Sequence, residues 1–133
     1  MQLAPMIVIS IHVLAGVFWA GSSFGLARNG GLGAERLFAP QMVAAALVVL
    51  SGGYLWKTLH EGALGPMERV LGLGVGGAVI ALAAQVFIAA PALKALRANA
   101  GDRAARRRLV LAGRAAAALL ALATLAMAAA RYA

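Results

Sequence analysis

The chain has 133 residues, 63% of them hydrophobic and only 12% charged, with a net charge of +8 and no cysteine. A soluble domain carries roughly 25% charged residues, so the charges here are too few to coat a water-facing surface, and the composition points to the membrane class. The missing cysteine excludes disulfides, thiolate metal sites and cysteine nucleophiles together, and the basic excess does not imply nucleic acid, because the arginines lie in short connections without stacking aromatics.

Four apolar runs, about residues 3–26, 38–58, 67–93 and 109–130, each approach or exceed the ~20 residues a helix needs to cross ~30 Å of hydrocarbon. Alternation of polar and apolar residues is absent, and lipid forbids open sheet edges. The predicted fold is therefore all-α: an integral membrane four-helix bundle filling residues 1–133 as a single domain. The first run opens "MQLAPM", without a basic n-region, and is longer than a usual signal h-region. It is expected to be a retained span.

"NGGLGAE" is the glycine-rich break before the second run, and "HEGALGP" the break before the third, with Pro66 placed to open a helix. "RANAGDRAARRR" is the most polar connection, and its arginines make it cytoplasmic by the positive-inside rule. Parity then puts the Arg28–Arg36 connection on the same side and both termini outside. The expected location is a plasma membrane. In the third run Gly72, Gly74, Gly76 and Gly77 permit close helix approach, Gly72 and Gly76 at the GxxxG spacing, as do the alanines of the fourth. Such small-residue faces suit a homo-oligomer or a place in a larger membrane complex.

Polar residues inside the spans carry the functional signal. His12 lies about 13 Å below the outer end of the first span at 1.5 Å per residue. Gly16, Trp19 and Ser23 follow on its face, and Ser51 on the returning second span reaches its level, with Gly76, Gly77 and Thr124 nearby in depth. An intramembrane histidine is expensive to keep, and it can ligate a metal or haem iron or pass a proton. His12 is the candidate metal ligand; the plain alternative is that it hydrogen-bonds Ser51 or a backbone carbonyl and only ties two helices together.

His60, at the outer end of the second span beside Trp56 and Lys57, reads as an interfacial residue. A sharper reading joins it to Glu61, Glu68, Met1 and Met6 as an outward metal patch suited to copper. His12 and His60 differ by about 13 Å in depth, too far to share one iron. Arg114, just inside the fourth span, is expected to snorkel to the surface, or, if inward, to meet an anionic group such as a haem propionate. Gln41 and Gln85 read as helix-to-helix hydrogen-bond partners.

"HVLAGVFWAGSSFGL", "ERLFAPQMVAAALVVLSGGYL" and "RRRLVLAGRAAAALLALATLAM" resemble successive segments of the copper resistance protein D (CopD-like) family of bacterial membrane proteins. By that resemblance His12, Trp19 and Gly21 match the opening motif, and Arg36 and Gly52 the second. The opening pattern is also similar to that of the membrane protoporphyrinogen oxidases. The resemblance implies a metal centre, haem b or copper, at His12, serving copper handling or membrane redox chemistry. The expected site comprises His12, Trp19, Ser51, Gly76, Gly77 and Arg114, with His12 and His60 as metal-ligand candidates. An oxidoreductase acting on a porphyrinogen-like substrate and a non-catalytic accessory subunit are the alternatives.

Overall fold

The computed structural model describes residues 2–60, 62 and 64–133. Helix α1 spans Leu3–Arg28, α2 spans Ala34–Leu59 and α3 spans Pro66–Ala84. A single π turn, Gln85–Ala89, joins α3 to α4 (Ala90–Ala98), and α5 spans Arg103–Ala130. α3, the π turn and α4 form one continuous rod. The result is four rods, all long and apolar enough to cross a membrane, and the protein is a multi-pass membrane four-helix bundle.

Three helix ends differ from the apolar runs, and each has a local cause. α5 begins at Arg103 rather than near 109, because the Asp102 carboxylate accepts the Ala105 N–H at 3.0 Å and starts the helix early. Alanine and arginine are strong helix formers, so the basic stretch continues the fourth span beyond the hydrocarbon. The third rod likewise runs on to Ala98. α2 begins at Ala34, directly after Gly30, Gly31 and Gly33, which take positive φ and turn the chain through a short connection. Hydropathy marks the membrane-embedded part of a helix, whereas caps and turns mark its ends. Pro66 does open α3, and Glu68 accepts the Gly65 N–H at 3.0 Å.

The packing inverts the arrangement of a soluble protein. Ala45, Ala81, Ala105 and Ala116 have no exposed surface, while Leu14, Leu50, Leu73 and Phe87 are each more than 70% exposed. Lipid tails are as apolar as leucine, so helices gain nothing by hiding leucine from them. They gain van der Waals contact when small residues let backbones approach. Trp19, 1% exposed, is the one large side chain fully enclosed among the described residues. α1 packs along α2 and α5, α3 packs along α5, and α2 meets the third rod at its α4 end.

Of the four glycines expected to permit close approach, Gly74 and Gly77 form the α3–α5 seam, and the GxxxG pair does not. A Cβ on Gly74 would come within 3.1 Å of the Ala123 carbonyl oxygen, and one on Gly77 within 3.3 Å of the Leu119 carbonyl oxygen. Gly72 and Gly76 have open space where a Cβ would point. One residue turns a helix by about 100°, so in a run as glycine-dense as "GLGVGG" spacing alone does not select the contact face.

Candidate functional site

His12 lies on the inward stripe of α1, one turn before Ala15 and two before Trp19, both buried. Its ring is half-buried, and its Nδ1 lies 2.9 Å from Ser51 Oγ on α2. The Ser51 hydroxyl has one hydrogen, which it donates back to the Leu47 carbonyl one turn earlier, with Val48 O as a second acceptor at 3.2 Å. With that hydrogen on the Leu47 carbonyl, the Ser51 oxygen is left to accept from Nδ1–H, the tautomer in which the lone pair lies on Nε2. Gly52 makes room for the ring, since a Cβ there would stand 3.1 Å from His12 Cε1. The depth match between His12 and Ser51 expected from helical rise is realised as a direct bond.

A second polar cluster lies nearer the basic end. Trp19 Nε1 donates to Gln85 Oε1 at 2.7 Å, and Gln85 Nε2 donates to Ser23 Oγ at 3.2 Å. Gln41 Nε2 donates to Ser22 Oγ at 3.0 Å and to Ser23 Oγ at 3.3 Å. One network thus ties α1, α2 and the third rod together through buried side chains. Gln85 enters it at the first residue of the π turn, and such turns frequently mark functional positions in helices. A cavity of about 30 Å³ lies beside it, with Ser23, Gln41 and Gln85 on its polar side and Leu26, Phe38 and Leu109 on its apolar side. That is room for a water molecule, not for an organic cofactor. The sequence points to the two glutamines as interhelical partners, but the link through Trp19 requires the azimuth of each helix.

The remaining candidates are dispersed. Trp19 is a buried hydrogen-bond donor two turns along α1 from His12. Gly77 is filled by α5 and offers no space to a ring, while Gly76 borders open space. Arg114 is exposed on α5 and does not face the interior of the bundle. Thr124 is also exposed and bonds the Leu120 carbonyl of its own helix, outside any ring around His12.

His60 stacks on Trp56 with ring centroids 5.2 Å apart, and its Nε2 is 4.0 Å from Glu68 Oε1. Of the outward metal patch, Met1 and Glu61 lie outside the described residues. Among the described residues no three His, Asp or Glu side chains gather around one point. No family model, no curated protein and no solved structure matches the chain.

Proposed function

We propose that this chain is a CopD-like protein of a bacterial inner membrane that holds a metal centre through Nε2 of His12, and that the centre is a b-type haem in membrane redox chemistry. The observation that carries the reading is the Leu47–Ser51–His12 chain of hydrogen bonds. Metal-bound histidines commonly donate their other ring N–H to a fixed acceptor, which orients the ring and raises its basicity. His12 has that arrangement, at mid-membrane depth, with its coordinating nitrogen free of protein partners among the described residues.

The donor set favours haem over copper. A porphyrin supplies its own equatorial nitrogens and asks the protein for one or two axial ligands. A copper ion would need several protein donors together, and the surroundings of His12 supply one imidazole. A bound haem would contribute one-electron chemistry; His12 would hold it, Ser51 would orient His12, and Gly52 would keep the ring position clear.

The basic connections around Arg28–Arg36 and Lys94–Arg108 share one end of the bundle, and Lys57, Arg69 and Arg131 mark the other. This supports a cytoplasmic placement of the Arg-rich end and both termini outside. The test is an absorbance spectrum and metal analysis of the purified protein. A Soret band present in the wild type and lost in His12→Ala is expected. A colourless, metal-free wild type overturns the reading, and bound copper without a Soret band replaces haem by copper handling.

A further inference from the structure

At the basic end, Glu35 at the start of α2, Arg97 at the end of α4 and Arg106 in the first turn of α5 line one pocket of about 280 Å³. Its floor is apolar: Leu93 and Leu109 are buried and Leu96 is half-buried. None of the three charged side chains is paired with another. Among the described residues the one acid–base contact is His60 with Glu68, at the opposite end of the bundle. A carboxylate and two guanidiniums thus share a pocket at headgroup depth without neutralising each other, above leucines that lead into the hydrocarbon.

From this we infer that the pocket is a binding site for a zwitterionic phospholipid bearing a primary ammonium, of the phosphatidylethanolamine type. Arg97 and Arg106 take the phosphodiester oxygens, for which the planar guanidinium fork is suited. Glu35 accepts from the ammonium, and the leucine floor receives the upper acyl methylenes. The volume is just below the ~300–1,000 Å³ of sites for drug-sized ligands, in keeping with a small headgroup. Phosphatidylglycerol would satisfy the arginines equally but offers Glu35 only neutral hydroxyl donors in place of a cation. A choline headgroup cannot donate a hydrogen bond to it.

The experiment uses the full chain, purified in detergent and stripped of lipid, then mixed with equimolar phosphatidylethanolamine, phosphatidylglycerol and phosphatidylcholine of identical acyl chains. Native mass spectrometry counts the lipid retained. The wild type is expected to retain phosphatidylethanolamine over each competitor by about three- to tenfold, the span between an exposed ion pair and a charge-assisted hydrogen bond. Glu35→Gln removes the advantage over phosphatidylglycerol while phosphate binding persists. Arg97→Ala with Arg106→Ala lowers retention of both lipids, and Lys57→Ala, at the far end, leaves the wild-type pattern. All these side chains are exposed, so the variants keep the fold, which helical circular dichroism verifies. Equal or greater retention of phosphatidylglycerol by the wild type overturns the inference and makes the pocket a plain basic anchor. An unchanged preference in Glu35→Gln overturns it as well.

Discussion

Trp19 donates its indole N–H to the Gln85 side-chain oxygen at 2.7 Å, across the interior of the bundle and far apart in sequence. The pair joins the first rod to the third where both side chains are buried in the bundle. Gln85→Leu strips the tryptophan of its acceptor and Ser23 of a donor. We expect a loss of about 1–2 kcal/mol, between the modest worth of interhelical bonds in membranes and the larger cost of an orphaned buried donor. Adding Trp19→Phe to Gln85→Leu should recover part of that loss, because the orphan disappears with its partner. Unfolding in mixed detergent micelles measures both, and an unchanged midpoint in Gln85→Leu would count against the network.

If His12 holds a haem as proposed, Ser51 is expected to act on it through His12 and not by contact. Ser51→Ala removes the acceptor of Nδ1–H and frees the tautomer. Haem retention should fall about 10- to 100-fold, the usual effect of losing a partner of a metal-bound histidine. Ser51→Thr, which keeps the hydroxyl, should retain most of it. A titration of haem into the stripped protein, followed at the Soret band, decides between these outcomes.

The α3–α5 seam gives a paired test. Gly74→Ala places a methyl 3.1 Å from a backbone oxygen that cannot move aside as a side chain would. Overpacking of this kind costs about 1–3 kcal/mol. Gly72→Ala points into open space and should stabilise slightly, by about 0.5–1 kcal/mol, through the better helix propensity of alanine. Thermal unfolding in detergent should shift in opposite directions for the two, and a common direction would refute the assigned face.

Topology can be read without background labelling, because the chain has no cysteine. Leu64→Cys and Ala100→Cys sit in exposed connections at opposite ends of the bundle. With a membrane-impermeant maleimide on intact cells, Leu64→Cys should label at once and Ala100→Cys only after lysis. The reverse pattern would invert the orientation drawn from the arginines.

How far the sequence carried depended on which quantity was one-dimensional. Span number and depth follow from hydropathy and helical rise, and that arithmetic placed Ser51 beside His12. Rotation about the helix axis was harder to read. It decided that Gly74 and Gly77, not Gly72 and Gly76, meet α5, and that Arg114 faces outward. The Trp19–Gln85 contact depends on rotation twice over, on two helices, with a π turn between Gln85 and the regular spacing downstream. The early start of α5 was written in Asp102, three residues before Ala105, but a span defined by apolarity alone passes over a capping aspartate.

The division of contacts has a consequence for biosynthesis. α1 and α2 form one helical hairpin and the third rod with α5 another, with α2 tied to the second hairpin chiefly at the basic end. The bonds from Gln41 to Ser22 and Ser23 close within the first hairpin, so it can leave the insertion machinery already clasped. Trp19 cannot: until Gln85 has been translated and tilted into the bilayer, its indole N–H has no acceptor of its own. The Trp19–Gln85 bond, unlike those of Gln41, can therefore be made only once the third rod has followed the first hairpin into the membrane.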